Sequence, residues 1–164
     1  MSDTGDAGGS ADAADGAPVG GLLSDTYVAA LQHDLVELPP ETTRIGVVRD
    51  PTPWFHGSVD ENLQPLGPPR DLLDETKQAE TDLKRRGICD EEAHNAAWEE
   101  TDFASRYRAH LQSSDAAGDA VDDLLARLDS GESIALVCFE NTSNKRCHRT
   151  ILHDHLEAER RQDG

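Results

Sequence analysis

One apolar run, Ile134-Ala135-Leu136-Val137-Cys138-Phe139, closes on Glu140 and leads through a polar loop to Cys147-His148-Arg149. A short, near-continuous run of this kind has no polar face to offer water. It fits a strand covered on both sides, as in a parallel sheet. The strand delivers a thiol (Cys138) and a carboxylate (Glu140) to its carboxyl end. The chain then returns as a helix whose first turn carries a second thiol, an imidazole and a guanidinium. Strand carboxyl ends and helix N-termini are both places where ligands are held.

A second such run, Arg44-Ile45-Gly46-Val47-Val48-Arg49, reads as another central strand, stopped by the prolines of Asp50-Pro51-Thr52-Pro53. Thr26 to Leu31 is β-prone, Leu35 to Pro40 a loop, and Val59 to Pro69 turn-like. Helical periodicity runs from near Asp71 to Lys84-Arg85-Arg86, with acids early, bases late and Gly87 as a C-cap. The basic cluster is therefore read as a helix end, not a nucleic-acid patch. Asp90 and Asp102 fit as caps of two further helices, the second carrying Phe103, Tyr107 and Leu111. Ala120 to Leu128 marks another, ending at Ser130-Gly131, and a terminal helix is expected from about Cys147 to Arg160. There is no internal repeat. The expectation is an α/β fold: a small Rossmann-like three-layer domain over 23–160, its short, mostly parallel sheet flanked by helices. Residues 1–22 read as a disordered acidic tail, and 161–164 as a flexible C-terminus.

Charge limits what such a domain meets. The 164 residues carry a net −18, and Lys77, Lys84 and Lys145 are the only lysines. This pattern reads as salt adaptation and disfavours general electrostatic binding of nucleic acid, though strong salt would screen the field around a local basic pocket. Three cysteines, an odd number, with no secretory signal suggest reduced thiols in a soluble, cytoplasmic protein. No apolar stretch approaches the ~20 residues that cross a bilayer, so no membrane partner is expected.

The Val48-Arg49 strand end before prolines, Phe103 and Tyr107 on a helix, and Cys138-x-Glu140 before Cys147-His148-Arg149 occur in that order. In these features the chain resembles the domain of unknown function 488 family (DUF488), over roughly residues 26 to 157. The resemblance implies a Rossmann-like domain and a site, without assigning a reaction. The chain differs from the family pattern in lacking a Gly-His-Ser start near Tyr27, in a short connection between its first two strands, and in ending without a strand after the terminal helix.

At the site, Cys147 beside His148 and Arg149 in a first helical turn is expected to have a lowered pKa and to supply a reactive thiolate. Glu140 would orient Arg149 or act as a base, and His148 would carry a proton. Arg49 and Arg149, with Lys145 and Arg146 nearby, suit a phosphate or carboxylate. Cys138 would contact that ligand, and Trp54 beside Arg49 could stack on a ring. The ligand class implied is an anionic, phosphorylated small molecule, nucleotide or nucleic-acid end. No cofactor is indicated, and whether the protein is an enzyme stays open. A different class of reading makes it a non-catalytic interaction module with structural or zinc-bound cysteines. Cys138, Cys147 and His148 would then ligate zinc with His56 or Glu140, although adjacent Cys147 and His148 diverge on a helix. A tyrosine-phosphatase or rhodanese loop fails on spacing, because the position that needs arginine is Asn144.

Overall fold

The computed structural model describes residues 20–138 and 145–163. Among these residues four strands form one all-parallel sheet: β1 (Leu23–Tyr27), β2 (Thr43–Gly46), β3 (Glu61–Asn62) and β4 (Ile134–Cys138), in the spatial order β1-β4-β2-β3. Seven α-helices among the described residues surround it: α1 (Val28–Gln32), α2 (Pro53–His56), α3 (Arg70–Arg85), α4 (Asp90–Glu100), α5 (Phe103–Ser113), α6 (Asp115–Asp129) and α7 (His148–Asp163). This is the small α/β three-layer domain that the apolar runs imply.

All five residues of β4 are buried, because the strand is paired on both edges and covered on both faces. Ile134, Leu136, Ile45 and Val47 pack on one face against Leu72, Leu124, Leu128, Leu152 and Leu156 of the long helices. Val137, Cys138 and Val48 belong to a second cluster with Val28, Phe55 and Cys147. Gly46 is bare for a reason: a Cβ there would stand 2.5 Å from the Phe55 ring, which lies against the strand.

The structure moves several elements. The first strand starts earlier than the β-prone run, at Leu23, because its register is fixed by β4, Leu23 opposite Ile134 and Tyr27 opposite Cys138. Past Tyr27 the chain turns helical, which buries Val28 and Ala30. Strand β2 ends at Gly46, not at Arg49. Val47 still donates to Val137 at 3.1 Å, and then the Asn62 side chain takes over, its amide accepting from Val48 N at 3.1 Å and donating to Val48 O at 3.0 Å. A side chain thus stands in for a neighbouring strand while the backbone leads out of the sheet.

The Pro53-Trp54-Phe55-His56 stretch, just past the prolines expected to stop the strand, makes a helical turn with Pro53 at its first position. The Val59–Pro69 segment contains the edge strand β3 and a 3-10 turn at Gln64–Leu66. The basic cluster is a helix end: Lys84 pairs with Glu80 at 3.1 Å and Asp90 at 2.5 Å, and Gly87 takes φ +92°. Asp90 lies inside α4, behind the cap residue Cys89. Lys145 and Lys84 hold its carboxyl down at about 2. Asp102 occupies the cap position of α5 at φ +54° without a side-chain cap bond. Helix α7 runs through 161–163 to Asp163, beyond the expected end at Arg160. The acidic tail, apart from its last three residues, and Phe139 to Asn144, Glu140 included, fall outside the described residues. No helix among the described residues is long and apolar enough to cross a membrane.

Candidate functional site

Where β2 and β4 end, the backbone diverges from the sheet and α3 and α4 close over the gap. The result is a cavity of about 360 Å³. Its floor is Cys138, from the end of β4, with Cys147 and His148, from the start of α7. Val48 and Arg49 line one side; Leu73, Trp98 and Phe103 form an apolar wall, with Trp98 and Phe103 stacked at 3.9 Å. The volume is at the small end of those that hold small molecules.

The two thiols are in contact, Sγ to Sγ 2.7 Å. The sequence pointed to a Cys147 with a lowered pKa, and the structure gives the opposite direction. Cys147 is buried, and burial first, then its bond to Cys138, push its thiol up well above the ordinary range. Only the backbone N–H and the charge of Arg149 pull the other way. At rest Cys147 is a thiol.

His148 is equally buried, and burial lowers its pKa to about 4, so the ring is neutral at pH 7. Its Nε2 lies 2.5 Å from the carbonyl of Val47, which can only accept, so Nε2 carries the ring proton. That leaves Nδ1 with its lone pair, 3.6 Å from Cys147 Sγ. A neutral imidazole of fixed tautomer therefore sits beside the thiol as an acceptor. The Tyr107 ring meets His148 edge-on at 5.3 Å, and its own hydroxyl donates to Leu66 O at 2.6 Å.

The cations divide into two groups. Arg49 Nε and Nη2 donate to the carbonyls of Pro68 (3.1 Å) and Gly67 (2.8 Å), which aligns the guanidinium along the cavity without neutralising it. Gly67 allows this approach: a Cβ would stand 2.3 Å from Arg49 N. Lys77 is exposed at the rim and has no carboxylate partner among the described residues. By contrast Arg70 pairs with Asp50 at 2.6 Å, Arg146 with Glu99, and Lys145 with Asp90 at 2.7 Å. The lining holds Arg49, Arg70, Lys77 and Arg146 against Asp50, Asp74 and Glu80. In a chain of net −18 that local balance is unusual.

The residues singled out from the sequence are thus only partly brought together. Cys138, Cys147, His148 and Arg49 meet at the cavity. Arg149 comes to the thiols from behind, off the lining: its side chain is 1% exposed, Nη1 donates to Thr26 O and lies 3.4 Å from Cys138 Sγ, and Nε lies 3.1 Å from Asp25 Oδ1. It ties α7 to β1. Trp54 sits on α2, 54% exposed, away from the lining. The α3 and α4 contributors Leu73, Thr76, Lys77, Glu80 and His94 were not foreseen, since their helical spacing marks only a helix. Among the described residues no group of three or more His, Cys, Asp or Glu side chains is arranged to hold a metal ion.

No curated protein and no solved structure matches the chain. The family model DUF488-N3a, described as the active DUF488-N3 subclade, matches residues 27–160, which include β2, β3, β4, the last residue of β1 and the whole cavity lining. With most of its length matched, the chain belongs to the DUF488-N3a family.

Proposed function

We propose that the cavity binds a small phosphorylated molecule or nucleotide, or a nucleic-acid end, and presents it to Cys147. The observation that carries this is Arg49: a part-buried guanidinium bonded to the carbonyls of Gly67 and Pro68, with His110 Nε2 at 3.5 Å and no carboxylate bonded to it among the described residues, just past the end of a parallel strand and beside a thiol–imidazole pair. Its bonds to Gly67 and Pro68 fix its direction and leave its charge for a ligand anion. Lys77 adds a second cation at the rim, and the Leu73–Trp98–Phe103 wall accepts an apolar ring. In this reading Cys147 faces the bound molecule, with His148 Nδ1 placed to receive its proton. The thiol is held in its protonated form until a bond forms, which limits side reactions. Salt adaptation and a cytoplasmic setting belong to the same reading, drawn from the acidic surface and the thiols, so binding is measured in strong salt.

Trp98 lines the cavity and Trp54 does not, so Trp54→Phe leaves a single tryptophan reporter. Titration of that variant with pyrophosphate and nucleoside mono- and diphosphates should change Trp98 emission saturably. Arg49→Ala should weaken the effect by about tenfold or more, the loss of a charge-assisted contact. Absence of a saturable change with all of these anions would refute the reading.

A further inference from the structure

The proton-accepting imidazole needs only one thiol, yet the cavity floor has two. Cys138 and Cys147 come from different elements, a strand end and a helix start, and nothing in the anion-binding reading requires their contact. Their sulfurs are 2.7 Å apart, against about 2.05 Å in a disulfide, so bonding needs a shift of well under 1 Å. Both line the same cavity, so a small reagent in it meets both. Around them stand an acceptor for a proton, His148 Nδ1 at 3.6 Å from Cys147, and a fixed positive charge, Arg149 Nη1 at 3.4 Å from Cys138. The third thiol, Cys89, is exposed and lies elsewhere, 3.9 Å from a Glu92 oxygen.

We infer that Cys138 and Cys147 form a dithiol–disulfide couple that exchanges with small organic disulfides entering the cavity, with Cys147 as the attacking thiol and Cys138 as the resolving one. Cys147 S–H gives its proton to His148 Nδ1 as its sulfur attacks the disulfide R–S–S–R. The S–S bond of the reagent breaks, a Cys147–S–S–R bond forms, and R–S⁻ leaves and recovers the proton as R–SH. Cys138 then attacks Cys147 Sγ, the mixed disulfide breaks, and the second R–S⁻ leaves with the Cys138 proton. The protein loses two electrons and two protons to one disulfide, which departs as two thiols; a dithiol reductant reverses the sequence. Arg149 favours the second step by holding negative charge on Cys138 as its proton leaves. The order of roles follows from placement: the base is beside Cys147 and the cation beside Cys138.

This couple uses the same cavity and the same Cys147–His148 pair as the proposed function but needs no bound anion, so the two fail separately. The test uses the full chain with Cys89→Ser, treated with hydroxyethyl disulfide and read by intact mass and peptide mapping. The expected product is an intramolecular Cys138–Cys147 link, with loss of two hydrogens, reversed by dithiothreitol. Adding Cys138→Ser should trap a mercaptoethanol adduct on Cys147, about tenfold above any adduct in the parent, while Cys147→Ser should slow reaction by about tenfold or more. A parent that stays a dithiol while hydroxyethyl disulfide oxidises a free model dithiol overturns the proposal, and that result needs no second substitution. Adducts divided equally between the two cysteines would overturn the assignment of roles. Pyrophosphate binding, read on Trp98, proceeds or fails whatever the thiols do.

Discussion

Arg149→Met replaces the guanidinium by an unbranched apolar chain that fills much of the same space. The polar interactions are therefore what is lost. Arg149 is 1% exposed and reaches Thr26 O, Asp25 and Cys138. The variant leaves the Thr26 carbonyl buried without that donor, a cost of roughly 1–3 kcal/mol. Breaking a buried ion pair costs about 3–5 kcal/mol, but Asp25 is 29% exposed and water can resolvate it, so the lower end applies. The two overlap, and the net loss should be about 3 kcal/mol. For a chain of this length that is a fall in Tm of roughly 6–12 °C. Urea unfolding followed by circular dichroism, in strong salt, measures it directly. The slope should be unchanged and the midpoint lower, while Arg149→Lys, which keeps the charge but not the fork, should recover less than half. A loss below about 1 kcal/mol would mean that desolvation of the guanidinium cancels its bonds, and the tie between α7 and β1 would not be what holds this corner.

Three other outcomes follow from the same geometry. The folded pKa of His148, about 4, lies below its unfolded value near 6.5, so the unfolded chain binds the extra proton. Its contribution, roughly 3 kcal/mol, is complete above pH 6.5 and is lost as pH falls toward 4; His148→Gln should flatten that part of the profile, and an unchanged profile would refute a buried neutral ring. Iodoacetamide at pH 7 should label exposed Cys89 well before Cys147, whose thiol is raised by burial; fast labelling of Cys147 below pH 7 would restore the thiolate that the sequence suggested. Gly67→Ala forces a Cβ to within 2.3 Å of Arg49 N, so it should cost about 1–3 kcal/mol and displace Arg49, weakening pyrophosphate binding more than Gly118→Ala, where a Cβ meets nothing within 4 Å. Equal binding in the two would place Arg49 outside the anion site.

The central strand was legible because Ile134 to Cys138 is apolar at every position, a pattern that only a twice-covered strand needs. The five long helices, α3 to α7, were legible from their caps and apolar faces, and Gly87 and Gly131 mark the stops of two of them. What the sequence concealed was set by pairing. Leu23-Ser24-Asp25-Thr26-Tyr27 is too polar to announce a strand, and it becomes one because β4 offers it an edge. Glu61-Asn62 is two polar residues long and carries no period. The ionisation of Cys147 could not be read from its neighbours in the chain. Adjacent His148 and Arg149 suggested a thiolate, but burial and then the contact with Cys138, from another element, reverse the sign. The membership of the cavity was concealed likewise, since Leu73, Lys77, His94 and Trp98 converge only when α3 and α4 pack together.

The strand order has a consequence for how the chain acquires its fold. Strands β1 and β2 never touch, and each is joined to the sheet through β4, which is made last; Leu22 N reaches Ser133 Oγ across 111 positions. Before Ile134 leaves the ribosome, β2 can pair only with the two residues of β3, and β1 has no partner. Closing so long a loop before its contacts form makes folding slow compared with that of a helical bundle of the same size. Through most of synthesis the apolar faces of α3 to α6 wait without a sheet beneath them, and mutual repulsion between acidic nascent chains keeps those faces apart until the keystone strand arrives.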